Sequence, residues 1–218
     1  MILILAEKPS LARNITAAIG GMKKRDGYYE DAQYIVTWAF GHLFSLADIE
    51  DYNPAPQECR HWTMDNLPCF PKKYKFVLRK GSDKQVDSGV ARQFETIKAL
   101  CNRPDVDTIV NAGDADREGE IIIRIIVDHA FASKEERAGK SHKRLWLPDQ
   151  TAETINKALT EMKDEEAYDN LAYEGYARTF IDWLYGVNLT RYATLKTGTL
   201  LRVGRVNVPI VKAIYDRG

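Results

Sequence analysis

The chain has 218 residues, 44% apolar and 28% charged, with 31 basic side chains against 31 acidic ones and a formal net charge of zero. This composition excludes a disordered, collagen-like or coiled-coil chain and allows one large or two small globular domains. The longest apolar runs, Met1 to Ala6 and Ile121 to Val127, are too short to span a bilayer or serve as a signal-peptide core, so no membrane partner and a cytoplasmic location are expected.

Ile2 to Ala6 is a continuous aliphatic run, the pattern of a buried parallel strand. A helix follows, with Ser10 as the expected N-cap, Leu11, Ile15, Ala18 and Ile19 at helical spacing, and Gly20-Gly21 as its end. Tyr28 to Ala39 reads as one or two strands leading into Gly41-His42-Leu43. Pro54, Pro56, Pro68 and Pro71 make Asp51 to Pro71 a long surface connection. Lys75 to Leu78 has strand character, and Val90, Phe94, Ile97 and Leu100 predict a helix over Val86 to Cys101. A second buried strand, Asp107 to Asn111, precedes a helix from Arg117 to Phe131, and Lys143 to Leu147 is a third strand.

From Thr151 onward the pattern turns helical, over Thr151 to Met162 and Asp164 to Leu184. The alternation of strand and helix before it predicts an α/β fold with a parallel sheet flanked by helices, then a mainly helical segment, with a domain boundary near Pro148 to Gln150. Cys59, Cys69 and Cys101 show no CxxC spacing, so buried reduced thiols are expected rather than a zinc site or a disulfide framework.

Net neutrality hides a segregation of charge. Lys72, Lys73, Lys75, Arg79 and Lys80 form one basic run, Lys140, Lys143 and Arg144 a second, and Arg191, Lys196, Arg202, Arg205, Lys212 and Arg217 a third, opposed only by Asp216. The acids gather between Asp105 and Glu120 and again between Glu161 and Glu174. A polyanionic partner is therefore compatible with the zero sum.

Ligands of open parallel sheets sit at the carboxyl ends of the strands. The first strand delivers Glu7-Lys8 there, and the second delivers Asp114, Asp116 and Glu118, with Gly113 and Gly119 permitting a tight turn. Hard carboxylate oxygens of this kind suit magnesium, which takes a few carboxylates together with waters and phosphates. The same acids also suit the positive end of a helix with no metal at all. Both readings stand on spacing alone.

Glu7-Lys8-Pro9-Ser10, Gly41-His42-Leu43, Asn111 to Glu120 and Arg144-Leu145-Trp146 together resemble the Toprim domain of type IA DNA topoisomerases, most closely the topoisomerase III branch. The resemblance continues through Ala177-Arg178, Asp182-Trp183-Leu184, Gly186 to Arg191 and Val203-Gly204-Arg205-Val206, which in that family open the helical domain adjoining Toprim. It implies a Toprim domain over 1–149 and the start of the helical DNA-binding domain over 150–218.

For individual residues it implies Glu7 as proton donor and metal contact, Lys8 as a fixed positive charge on the phosphoryl transition state, and Asp114, Asp116 and Glu118 as magnesium ligands. Arg178, Arg191 and Arg205 become contacts to the DNA backbone, the DNA being single-stranded, and Arg117 becomes a structural ion-pair partner of the acid cluster. Gly113 stands where the family usually has Thr, and Asn207 and Val208 where it usually has Gln and Thr.

The family reaction needs a tyrosine that forms a covalent link to the DNA phosphate. Tyr176-Ala177-Arg178-Thr179 imitates its usual setting, but it lies inside a helical pattern and before the Gly204-Arg205-Val206 motif, so Tyr176 is expected to be a packing residue. The chain then resembles the N-terminal fragment of a larger enzyme, without the nucleophile and completed by further domains. A stand-alone Toprim nuclease or primase-like nucleotidyl transferase shares the acids, and a phosphohydrolase with a nucleophilic Asp114 or a non-enzymatic scaffold are further alternatives.

Overall fold

In the computed structural model, which describes residues 1–52, 62–81 and 85–218, the aliphatic run near the amino terminus becomes the centre of a sheet. β1 (Ile2–Ala6) pairs in parallel with β4 (Tyr34–Trp38) on one side and β7 (Thr108–Ala112) on the other. β8 (Ser141–Arg144) extends the parallel set beyond β7, and β5 (Phe44–Leu46) pairs with β6 (Phe76–Leu78) in a separate two-stranded sheet. Short antiparallel strands close the edges, β2 (Lys23–Lys24) and β3 (Tyr28–Glu30) beyond β4, and β9 (Lys163–Asp164) beyond β8, in the order β2-β3-β4-β1-β7-β8-β9. The chain steps from β1 outward to β4 and then crosses back to lay β7 on the other side. The strand order thus reverses at β1, and its carboxyl end opens into the crevice where such sheets take ligands.

Burial on both faces explains why β1 carries no polar side chain. Ile4 and Ala6, with Val36, Val110 and Ala112, pack against α1 (Pro9–Ile19) and α5 (Ala152–Thr160) through Leu11, Ala12, Ile15 and Ile155. Each such aliphatic side chain contributes about 1.5–3 kcal/mol when fully buried. Leu3, Leu5 and Ile35 alternate to the opposite face, where α2 (Ser88–Cys101) packs with α3 (Arg117–Ala130). Gln93 of α2 fixes that face by donating to Thr37 Oγ1 at 3.3 Å and to Trp38 O at 2.7 Å.

The expected α/β fold, a parallel sheet flanked by helices and then a helical segment, is what the chain forms. Several boundaries differ. Lys8, not Ser10, occupies the N-cap of α1, because Pro9, with fixed φ and no N–H, is suited to the first helical position and places Ser10 inside the turn. The third strand covers Ser141–Arg144 rather than Lys143 to Leu147. The region expected from Tyr28 to Ala39 divides into two strands. The last long helix, α6 (Asp169–Thr197), begins after a 3-10 turn at Glu165–Tyr168 and runs past Leu184. The short helices α4 (Lys134–Ala138) and α7 (Asn207–Tyr215) were not expected. Of the connection expected from Asp51 to Pro71, 53–61 lie outside the described residues, as does Cys59; the described remainder from 62 holds one 3-10 turn, Met64–Asn66. Cys69 and Cys101 are free and buried, as expected.

The chain divides into two compact units, Met1–Ser45 with Leu78–Gly175, and Leu46–Val77 with Tyr176–Gly218. The sequence position 149/150 falls inside the first. The second is held by aromatic and polar contacts rather than by an aliphatic sheet core. Tyr74 stacks on Phe180 with ring centroids 4.0 Å apart, and Trp183 meets Tyr52 and Tyr74 edge-on while its indole N–H donates to Ala47 O at 3.0 Å. Asn188 brackets the Cys69 backbone, accepting from its N–H at 2.7 Å and donating to its carbonyl at 3.0 Å.

Candidate functional site

Four parallel strands end on one edge of the first unit, and each delivers polar residues just beyond its last pair. β1 gives Glu7 and Lys8, β4 gives Gly41 and His42, β7 gives Gly113 to Asp116, and β8 ends in Arg144. Because β1 and β7 are neighbours in register, Ala6 opposite Ala112, the two acidic segments meet. Asp114 N–H donates to Glu7 Oε2 at 3.0 Å, and Lys8 Nζ donates to Asp114 Oδ2 at 2.6 Å. That hydrogen bond holds the Lys8 ammonium above its usual range, against the opposing effect of partial burial. Gly41 takes a positive φ of 68° and donates its N–H to Glu7 O at 2.9 Å, which brings the next residue, His42, to Glu118 with Nε2 and Oε1 3.1 Å apart.

The turn between β7 and α3 is unusually close. A Cβ on Gly113 would stand 2.0 Å from Gly119 O, and one on Gly119 would stand 2.4 Å from Asp114 O. Two glycines therefore allow a backbone approach that no other residue tolerates, and this accounts for Gly113 in a position where Thr was expected by resemblance. The turn is tied at several points. Asn111 Oδ1 accepts from Gly113 N–H at 2.9 Å, and Asp116 caps α3 through Oδ1, which accepts from the amides of Glu118 and Gly119 at 2.9 and 2.7 Å. Asp116 thus realises the helix-end role that spacing alone left open. At the start of α1 the N-cap makes no side-chain bond, so its first amides stay available beside Lys8.

Each predicted metal ligand has one oxygen engaged: Glu7 by the Asp114 amide, Asp114 by Lys8, Asp116 by the helix amides and Glu118 by His42. Among the described residues the second oxygen of each accepts no hydrogen bond, and no three or more His, Cys, Asp or Glu side chains are grouped so that together they could hold a metal ion. Such a donor set fits a hard cation that keeps most of its waters and takes one or two carboxylates plus phosphate oxygens.

Arg144 was read as part of a basic run and of the Arg144-Leu145-Trp146 motif, and its side chain is fully buried beneath this turn. It pairs with the equally buried Glu120 at 2.6 Å, and Glu120 also accepts from Arg124 at 2.7 Å. Burial pulls the Arg144 guanidinium below its ordinary range while Glu120 acts in the opposite sense. His42 entered the sequence analysis only within the Gly41-His42-Leu43 motif, and neither it nor Arg144 was assigned a role there.

Arg117, expected to pair with the acid cluster, pairs instead with Glu174 of α6 at 2.5 Å. The reason is steric: Gly175 lets α6 approach so near that a Cβ there would lie 2.6 Å from Arg117 O. The second acidic run is consumed in the same way, since Asp164, Glu165 and Asp169 hold Lys143, Arg137 and Arg124 at 2.9, 2.5 and 2.6 Å.

In the second unit, Arg178 and Arg205 are part-exposed and share Asp182, whose carboxyl is held below its usual range first by the hydrogen bond from Arg205. Arg191 is buried and its fork grips Glu50 at 2.6 and 2.8 Å. Tyr176 lies inside α6 with its ring 6.0 Å from Phe180 and 6.4 Å from Phe76, the surroundings of a packing tyrosine.

Comparison with known proteins gives a consistent result. Residues 2–147 match the Toprim domain. The chain is 40% identical over 215 residues to the DNA topoisomerase 3 of Staphylococcus epidermidis (strain ATCC 12228 / FDA PCI 1200), covering 99% of this chain and 28% of that protein. It is 39% identical, over the same shares, to the putative DNA topoisomerase 3 of Staphylococcus aureus (strain bovine RF122 / ET3-1) and to the DNA topoisomerase 3 of Staphylococcus aureus (strain USA300). The chain thus spans 28% of the length of these relatives.

Proposed function

Because the chain belongs to the Toprim domain family, we propose that it is the metal-binding, amino-terminal part of a type IA DNA topoisomerase of the topoisomerase III branch. The observation that carries this reading is the meeting of Glu7-Lys8 and Asp114-x-Asp116 on neighbouring parallel strand ends, linked by the Asp114 amide and the Lys8 ammonium. In this reading magnesium is held by one or two carboxylates drawn from Glu7, Asp114, Asp116 and Glu118 and, when bound, would neutralise phosphodiester charge. Residues 1–149 form the Toprim domain, 150–218 begin the helical DNA-binding domain, and the protein acts in the cytoplasm. The described residues contain no helix long and apolar enough to cross a membrane.

Each residue has a task set by its place. Lys8 presents a fixed positive charge to the reacting phosphate from the N-cap of α1. Glu7 gives a proton to the leaving 3′ oxygen of single-stranded DNA as the phosphodiester opens. Arg178 and Arg205 contact the DNA backbone, exchanging Asp182 for phosphate. For Arg191 the buried fork on Glu50 supports a structural role in preference to a DNA contact.

The attacking tyrosine comes from the remaining domains of the full-length enzyme. The 218-residue chain is therefore expected not to relax supercoiled plasmid in the presence of magnesium. Relaxation by the purified chain that disappears in Tyr176→Phe would make Tyr176 the nucleophile and contradict the reading.

A further inference from the structure

Arg144 spends its donors in an uncommon way. Its Nε–H donates to Glu120 Oε2 at 2.6 Å, one terminal nitrogen donates to the carbonyls of Asn111, Gly113 and Leu145 at 3.1, 3.0 and 2.8 Å, and the other donates to the carbonyl of Asp114 at 2.8 Å. Three of these acceptors belong to the segment that carries the acids. A buried arginine taken out of water is expensive, and a pair with one carboxylate seldom offsets the loss, so a guanidinium whose other donors fan onto a single turn has a specific use.

The carbonyls at that turn also need it. Gly113 and Asp114 stand where β7 has ended and α3 has not begun: the Asp114 oxygen also accepts from the Asp116 N–H at 2.8 Å, whereas Arg144 is the donor that reaches the Gly113 oxygen. Lysine at 144 would keep the charge but not the fan, because an ammonium cannot place donors on a plane spanning Glu120 and four carbonyls. The partner is fixed in turn: Glu120 lies one turn into α3 and is held from the other side by Arg124, which also reaches Asp169.

We propose that Arg144 is the positioning residue of the acidic turn, setting where the Asp114 and Asp116 carboxylates stand by binding the main chain on which they are mounted. This rests on the reading of those acids as a magnesium site. Loss of an outer partner of a metal ligand typically weakens metal binding about 10- to 100-fold. Arg144 touches no ligand side chain, so it acts through backbone position.

The test compares Arg144→Lys with Arg191→Lys, a control at a second buried arginine, by magnesium calorimetry on samples shown to be folded by their melting transitions. Arg144→Lys is expected to bind magnesium at least about tenfold more weakly, while Arg191→Lys melts earlier but binds like the wild type. Wild-type affinity in folded Arg144→Lys would overturn the proposal.

Amide hydrogen exchange supplies a second measurement that needs no metal. The Asp114 and Asp116 amides, which donate to Glu7 Oε2 and Asp114 O, should exchange about tenfold faster in Arg144→Lys, with Leu5 of β1 unchanged. Equal exchange would count against the proposal. If Arg144→Lys does not fold, the wild type decides: the Arg144 side-chain N–H resonances must move on magnesium addition while those of Arg191 stay, and a static Arg144 signal overturns the proposal. Absence of magnesium binding by the wild type would instead sink the metal reading, and amide exchange would still judge the positioning role.

Discussion

Two buried arginines, one in each unit, are fastened in different ways. Arg144 reaches four main-chain carbonyls and one carboxylate that is itself fully buried. Arg191 grips Glu50, whose side chain is 46% exposed, stands 3.9 Å from the Asp48 carboxylate and lies 4.9 Å from the Trp62 ring centroid. The contrast separates two uses of the same side chain. A guanidinium that binds main chain dictates the shape of a turn, whereas one that binds a surface carboxylate joins two segments whose charge can return to water.

Truncation should expose that difference in stability. Arg144→Met strands Glu120 in the core with Arg124 as its remaining partner and is expected to cost about 3–5 kcal/mol. Arg191→Met removes the fork from the part-exposed Glu50 carboxylate, which water already reaches, and should cost about 1–3 kcal/mol. Urea denaturation of both variants measures the two losses, and equal values would erase the distinction.

A smaller effect sets the two regions apart by pH. Burial pushes the Cys101 thiol from its ordinary 9.0 up to about 12. Burial also raises Cys69, but nearby Arg191 acts against it. A thiol whose pKa is raised on folding contributes stability in full below its unfolded pKa and loses it as pH climbs through the folded value. Unfolding free energy should therefore fall between pH 9.0 and about 12, and Cys101→Ser should flatten part of that slope. In native protein at alkaline pH, Cys69 should alkylate before Cys101; the reverse order would contradict this account.

Much of the first unit was legible in the sequence because its signals are local. The run Ile2 to Ala6 has one use, the glycines at 20 and 21 stop α1, and acids directly after two aliphatic runs mark strand ends. What escaped depends on distant partners. Ser141–Arg144 is a strand because β7 and β9 pair with it, not because its own side chains alternate. Neither the basic run nor the Arg144-Leu145-Trp146 motif signals that Arg144 is buried, and its burial follows from Glu120, 24 residues earlier. The helical pattern was read only as far as Leu184, but α6 continues to Thr197, with Asn188 and Arg191 anchored to partners in 46–77. The candidate site was visible as residue types and spacing, while the engagement of each carboxylate by an internal donor required the folded chain.

The central claim is that Asp114 and Asp116 bind a divalent cation. Calorimetric titration of magnesium into the wild type and into the Asp114→Asn/Asp116→Asn variant tests it most directly. The account predicts a binding isotherm for the wild type that the double variant loses while keeping its fold. Equal affinities in two folded proteins would contradict it and leave these acids as helix caps and ion-pair partners.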